Sequence, residues 1–528
     1  EIVNSDFIPT AVVPQLTFVV DGIEDACTLK NLSYGLREDP ETVIESLRGF
    51  IAKYEEWIDG LTTANSDLDP SAEEVMQTLR DCKLCSARMQ EGVDLIERDS
   101  EVKRSFELAN LAMIMQNAHQ SGQANPCPAG EDLWEHYQNL ETDFQWRPFQ
   151  LAFLLLSIEP SINPDSRHRE TVDLIWFPTG GGKTEAYLGV AAFTILHRRI
   201  TSPDNGNGTT ALSRYTLRLL TAQQFERTAS LVCALEMFRR ENIAPLGETP
   251  ISIGLWLGGD HLPNTLIQAE ERIEELFASN TPRKENPFIL SKCPCCGEFL
   301  LPESQNEDPA AYGFSINDDN LLVQCLSTTC PMSLEIPVHL VDDQIYRDLP
   351  TIVIGTIDKF AALAWKKEPG WLITGKEGKH QPPSLIIQDE LHLISGPLGT
   401  IAGVYETAIE ALGVAYGARP HVISSTATVR RADEQSMALF TRPVQQFPPS
   451  GLDEADSYFA KKDPHAAGRL YAGLLCPHTS QMTSLVRAHA ALLQAGPKLS
   501  RNSTDDAYWT LVSYFNNKRE LGMATNAA

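Results

Sequence analysis

The chain has 528 residues, 42% hydrophobic and 21% charged, and carries a formal net charge of −27. At roughly 150 residues per domain this is ordinary globular material for three or four domains, and its acidity excludes a uniformly basic coat, so any nucleic-acid contact must come from a local basic track. Leu151-Ala-Phe-Leu-Leu-Leu is too short to span a bilayer, which needs about 18 to 20 apolar residues, so a soluble chain is expected. Eleven cysteines are too few for a disulfide scaffold at this length, and five crowd into one segment, as expected for a metal site in a reducing compartment.

Residues 1–140 read as a helical accessory region. Pro40-Glu-Thr-Val-Ile-Glu-Ser-Leu-Arg-Gly-Phe-Ile and Ser71-Ala-Glu-Glu-Val-Met-Gln-Thr-Leu-Arg place apolar residues at three- and four-residue steps. Cys82-Lys-Leu-Cys85 has no second pair nearby and reads as packing within a helix. From residue 141 short apolar strands alternate with helices, the pattern of a parallel α/β sheet. Strands are expected at Val172–Phe177, Thr210–Leu217, Ile251–Leu257, Thr351–Gly355, Leu385–Gln388 and His421–Ser424, and helices at Lys183–Arg198, Gln223–Arg240, Lys359–Trp365, Gly399–Ala415 and Arg431–Leu439. The sheet occupies residues 141–263 and 346–445, interrupted by an insertion at 264–345.

The centre of the chain is Asp173-Leu-Ile-Trp-Phe-Pro-Thr-Gly-Gly-Gly-Lys-Thr184, an apolar strand that breaks into a glycine loop and then a helix. Thr179, Gly180, Gly181 and Gly182 turn the backbone so that N–H groups and the positive helix end face a phosphate chain. Lys183 would reach the β/γ-phosphates of ATP and Thr184 would place its hydroxyl on Mg²⁺. Phe177 stands where the general G-x-x-x-x-G-K-T pattern has its first glycine, and a plain glycine-rich turn is the bland alternative. Upstream, in Trp146-Arg-Pro-Phe-Gln150, Gln150 is the candidate for reading adenine.

Gln388-Asp-Glu-Leu-His392 closes the fifth strand, and phosphate loop and acidic box thus share the carboxyl ends of parallel strands, where open α/β sheets bind ligands. Asp389 is the Mg²⁺ partner through its waters and Glu390 the general base for the attacking water. Ser424-Ser-Thr-Ala-Thr428 follows the sixth strand; Thr426 and Thr428, with His392 of the box, would couple nucleotide state to a nucleic-acid face.

That face is expected around Arg214, Arg218, Arg227, Arg239 and Arg240, opposed in sequence only by Glu226 and Glu236. Arg218, Thr221, Gln223 and Arg227, with Thr356 and Lys359 after the fourth strand, would hold successive phosphates without reading bases. In the insertion, Cys293-Pro-Cys-Cys296 and Cys325-Leu-Ser-Thr-Thr-Cys330 form two knuckle-like pairs. Four thiolates suit tetrahedral, structural Zn²⁺, with Cys295 as a spare.

In this order the elements resemble superfamily 2 helicases over residues 141–440, with the box nearest the DEAH-like group and Leu391 as its departure. The implied fold is a RecA-like P-loop NTPase lobe. Tyr215-Thr-Leu-Arg-Leu-Leu-Thr-Ala-Gln-Gln-Phe-Glu-Arg, Gly355-Thr-Ile-Asp-Lys-Phe and Asp389-Glu-Leu-His-Leu-Ile-Ser-Gly-Pro-Leu-Gly-Thr are similar to the DrmA family of helicase subunits in DISARM anti-phage systems. That resemblance implies DNA as ligand, single-stranded or with a single-stranded end, a DUF1998-type (DrmB-like) partner subunit, and defence in a bacterial cytoplasm. The same motifs serve two alternatives, a nucleotide-gated DNA-binding scaffold without processive unwinding and a related repair or RNA helicase. Residues 446–528 read as a linker and the beginning of a second RecA-like lobe at Tyr508–Gly522. The chain stops at Ala528 before an arginine from that lobe, and on this reading it binds nucleotide weakly and hydrolyses it barely above background.

Overall fold

The computed structural model describes residues 8–64, 69, 72–178, 180–215, 218–259, 261–317, 319–364, 366–376, 380–417, 419–426, 431–453, 455–499 and 510–527. They fall into two compact units, Phe18–Lys461 and a smaller one of Glu1–Thr17 with Lys462–Ala528. No helix among the described residues is long and apolar enough to cross a membrane.

The larger unit is built on eight strands: β1 Val172–Trp176, β2 Ala211–Tyr215, β3 Ile253–Trp256, β4 Val338–His339, β5 Ile352–Thr356, β6 Leu385–Gln388, β7 His421–Thr426 and β8 Val444–Phe447. They lie side by side as β8-β1-β7-β6-β2-β5-β3-β4, and their pairings are parallel. The inner strands are covered on both faces and therefore read as unbroken apolar runs, which is why all six expected strands are found. The two that sequence reasoning missed are the edges. β8 is Val-Gln-Gln-Phe and only partly covered, and β4 is two residues long, so neither carries an apolar run.

The longer helices are α1 Pro40–Ala64, α2 Glu73–Arg98, α3 Ser100–Ser121, α4 Pro148–Ile162, α5 Lys183–Thr201, α6 Arg218–Arg240, α7 Leu266–Ala278, α8 Gly396–Ala415 and α9 Ala432–Phe440. α3 starts because Asp99 accepts hydrogen bonds from the Glu101 and Val102 amides, and it ends at Gly122 in the left-handed region. α2 crosses α4 so closely that a Cβ on Gly92 would lie 2.1 Å from the Leu155 carbonyl oxygen, a contact only glycine permits. One apolar cluster runs from Ile23 through α1–α5 and one sheet face to Phe459. The expected helix at 359–365 is a more tightly wound 3₁₀ segment that starts earlier, Ile357–Ala364. In the smaller unit Thr10–Val13 pairs antiparallel with Arg469–Ala472, and helices span Gln481–Leu499 and Lys518–Ala527. Tyr508 and Trp509 lie outside the described residues, and 510–515 form no strand.

At the amino ends of the strands the packing is closed by buried arginines. Arg88 on α2 makes two hydrogen bonds, 2.7 and 2.6 Å, to Asp173 on β1, and the His421 ring at the start of β7 lies 2.8 Å from the same carboxylate. Burial alone would raise the Asp173 pKa, but the Arg88 guanidinium and the His421 contact hold it well below the carboxylate range. Arg198 donates to the carbonyls of Gly206, Asn207, Gln381 and Pro382, and Arg199 to those of Leu246, Thr249 and Pro250. Arg169 and Arg442 do the same below β1 and β8.

Candidate nucleotide-binding site

The register sets the opposite end. Ser424 of β7 and Arg214 of β2 flank Gln388 of β6, while Thr426 lies beside Trp176 of β1, so the glycine loop and the acidic box emerge with only β7 between them. Gly180 and Gly182 have φ of 78° and 88°, and Gly182 begins α5. Arg147 donates to the Gly181 carbonyl at 2.6 Å. Gln150 donates to the Gly182 carbonyl at 2.7 Å and accepts from the Arg147 amide at 2.8 Å, so both ends of its amide hold the loop. Thr179 lies outside the described residues.

Lys183 Nζ rests 2.7 Å from the Phe177 carbonyl oxygen; burial lowers its pKa, opposed by Glu390 and Asp389. Thr184 Oγ1 is 3.2 Å from both the Tyr187 hydroxyl and the Gln224 amide nitrogen. The Tyr187 hydroxyl also lies 3.1 Å from Asp389 Oδ2 and 3.3 Å from the Tyr215 hydroxyl. The other Asp389 oxygen accepts from Ser425 and from the Glu390 amide. Glu390 has φ of 50°, uncommon for a side chain other than glycine, asparagine or aspartate, and strain of this kind gathers at functional sites. Burial raises its pKa and Asp389 adds to the shift, against His392 and Lys183. His392 Nδ1 is 3.4 Å from Glu390 and 3.0 Å from Thr426 Oγ1; Thr428 is outside the described residues.

These groups line one cavity of about 510 Å³ shared by Arg147, Gln150, Lys183, Thr184, Gln224, Arg227, Asp389 and Glu390. Oxygen donors from a hydroxyl and a carboxylate fit Mg²⁺, and a lysine at a helix N-terminus fits phosphate. Arg147, Tyr187, Tyr215 and Gln224 were not legible as site residues. Of the adjacent glutamines, helix phase exposes Gln223 and turns Gln224 inward, a distinction that a sequence carries only once the helix start is known.

The expected nucleic-acid residues are scattered. Gln223 and Arg227 are exposed, and Arg227 lies 3.2 Å from Glu185; Thr221 and Thr356 are buried. Arg218 begins α6, but its side chain is outside the described set. Lys359 Nζ is 2.6 Å from Asp342 and 3.1 Å from Asn264, the two roots of the insertion. The expected basic window does not form one surface. Arg214 is buried and paired with Glu406, while Arg239 and Arg240 grip the fully buried Glu236 at 2.7 and 2.9 Å. Counting charges along the chain hid that one interior carboxylate occupies two arginines.

In the insertion, Cys293, Cys296, Cys325 and Cys330 bring their sulfurs within 4.8 Å of one another. Cys293 lies 3.9 Å from Cys330 and Cys296 3.4 Å from Cys325, spacing compatible with a tetrahedral four-sulfur zinc site. The knuckle turns at Gly297, φ 78°, and Cys295 is buried outside the quartet.

Strand order, glycine loop and acidic box together define a RecA-like P-loop lobe of the helicase type. The chain is homologous to DISARM protein DrmA of Bacillus paralicheniformis, with 36% identity over 542 residues, 92% of this chain and 47% of that protein. It thus spans about half the length of that curated relative. No family model matches. Among solved structures, DUF1998 helicase MrfA aligns at 14% identity and a TM-score of 0.28 over 56% of this chain and 32% of that one. Its DNA-bound form gives 14% and 0.31 over 61% and 29%, and the yeast DEAD-box splicing factor Prp28 gives 12% and 0.29 over 72% and 62%.

Proposed function

We propose that this chain carries the nucleotide-binding lobe of an ATP-dependent DNA helicase or translocase acting in DISARM-type anti-phage defence. The observation that carries the nucleotide reading is the convergence of Lys183, Thr184, Asp389 and Glu390 on one cavity; the identity with DrmA supports the defence context. Lys183 would leave the Phe177 carbonyl to clamp the β/γ-phosphates, and the loop amides would take the phosphate oxygens. Thr184 and Asp389 would hold Mg²⁺, which neutralises charge on the phosphates. Glu390, with its raised pKa and fixed backbone, would take the proton of the attacking water. His392, between Glu390 and Thr426, is placed to pass a change at the base into β7. Gln150 would meet adenine beside the loop it braces.

Gln223, Arg227 and, once released from Asp342, Lys359 would position a DNA strand by its phosphates. The four-cysteine site would hold one structural Zn²⁺. A DrmB-like partner and a bacterial cytoplasmic setting belong to the same reading. The test is ATP turnover and strand displacement, with matched DNA and RNA, for the unaltered chain, Lys183→Ala and Glu390→Gln. Loss of nucleotide binding in the first variant and retained binding without turnover in the second support the reading. Unaltered turnover in either variant ends it.

A further inference from the structure

The hydroxyl of Tyr187 lies between the two groups that would hold the metal, and its hydrogen-bonding capacity decides how they are set. A tyrosine hydroxyl has one proton to give and two lone pairs to receive. Asp389 Oδ2, a carboxylate oxygen 3.1 Å away, accepts, so the proton goes there. The same hydroxyl lies 3.2 Å from Thr184 Oγ1 and 3.3 Å from the Tyr215 hydroxyl, so one buried group holds both the aspartate and the threonine oxygens.

Thr184 Oγ1 is held from two sides, by the Tyr187 hydroxyl and by the Gln224 amide, each at 3.2 Å. Thr184 lines the cavity alongside Lys183 and Asp389. The Gln224 carbonyl oxygen is itself buried with no partner among the described residues, although Gln224 lines that cavity too. A buried acceptor left unsatisfied costs about 1 to 3 kcal/mol, and a water of the metal's shell would satisfy it.

We propose that Tyr187 and Gln224 are positioning residues that pre-set the hydroxyl of Thr184, and the carboxylate of Asp389, for a divalent cation. Tyr187 stands behind the cavity, whereas Gln224 is part of its lining. Tyr187 sits on α5 one turn beyond Thr184, wholly buried, and Gln224 reaches the same oxygen from α6, next to the exposed Gln223. The threonine and the aspartate are thereby linked through one tyrosine hydroxyl, and metal affinity depends on a group outside the loop motif.

This inference rests on the nucleotide reading, and the experiment separates the two. Binding of a fluorescent ATP analogue is measured on the full chain, first in chelator and then across a Mg²⁺ titration, for the unaltered protein, Tyr187→Phe, Gln224→Ala and Tyr215→Phe. Tyr187→Phe keeps the ring and the packing. It is expected to leave chelator affinity within about twofold and to raise the Mg²⁺ midpoint roughly tenfold, the loss of about one hydrogen bond to a charged group. Gln224→Ala, on a half-buried side chain, is expected to raise it about three- to tenfold and gives the readout if the phenylalanine variant does not fold. Tyr215→Phe is expected to change the midpoint less than either. A purely structural role for Tyr187 predicts lower thermal stability with the midpoint unmoved, and that result overturns the proposal. An unaltered chain that shows no Mg²⁺-dependent binding overturns the nucleotide reading itself.

Discussion

The two ends of the sheet use buried charge in opposite ways. At the amino ends each arginine is engaged by several acceptors. Arg198 and Arg199 donate to main-chain carbonyls, and Arg88 is matched with Asp173 beside His421. At the carboxyl ends the polar groups have fewer ties and face space: Lys183 has one carbonyl, and Glu390 and Gln224 line a cavity. A densely bonded network makes a rigid floor, whereas sparsely held groups around a cavity are what a ligand can complete. Stability and binding should therefore separate along the strand direction.

The largest effect that would break this contrast is at the floor. Arg88→Ala leaves the buried Asp173 carboxylate without its main partner and is expected to cost about 3 to 5 kcal/mol in denaturant unfolding. A loss comparable to a surface substitution would show that the floor is not closed. At the roof, Lys183→Ala should lower nucleotide affinity by roughly a hundredfold or more, given the charge-assisted bonds it removes, with unfolding moved by only a few tenths of a kcal/mol. Glu390→Gln should remove whatever turnover the chain shows while nucleotide affinity is kept.

Acid sharpens the comparison next. His339, at the start of the sheet edge, has its pKa lowered to about 4 by burial, and burial likewise lowers that of His421. The unfolded chain binds protons on these rings from about pH 6.5 downward while the folded chain does not. Stability is therefore fully present above about pH 6.5 and falls as pH drops toward 4, by roughly 1 to 3 kcal/mol for the His339 ring, with His421 acting in the same direction. His339→Asn should flatten the profile. Glu390 shifts upward, so turnover should rise with pH through a midpoint above the usual 4.5, without a matching gain in stability. The smallest effect is on the outer surface. Arg227→Ala should lower the salt slope of DNA binding by about one and weaken all sequences alike, read by fluorescence anisotropy at several salt concentrations.

Much of the roof was readable in the sequence because a phosphate loop needs its glycines, lysine and threonine in consecutive positions, and Leu385-Ile-Ile leads directly into Asp389 and Glu390. The inner strands were readable for a related reason, since burial on both faces leaves an unbroken apolar run. The floor was not. Arg88 and Asp173 are far apart in the chain, and neither α2 nor β1 shows by its own pattern that a charge on its buried face has a partner. The basic window failed similarly, because Glu236 is one carboxylate in a row of arginines until α6 turns it inward. Nothing in the sequence marks Tyr187 within its helix, and only three dimensions place its hydroxyl between Thr184 and Asp389.

The grip of Lys359 on Asn264 and Asp342 has a mechanical consequence. One ammonium ties the departing and returning segments of the cysteine-bearing insertion to each other, next to the Asp343 amide that donates to the Asn264 carbonyl. The insertion also lends β4 to the edge of the main sheet, and Arg240 donates to the Pro331 and Glu335 carbonyls within it. The cysteine-bearing module is thus riveted to the lobe at several points rather than hung from a single thread.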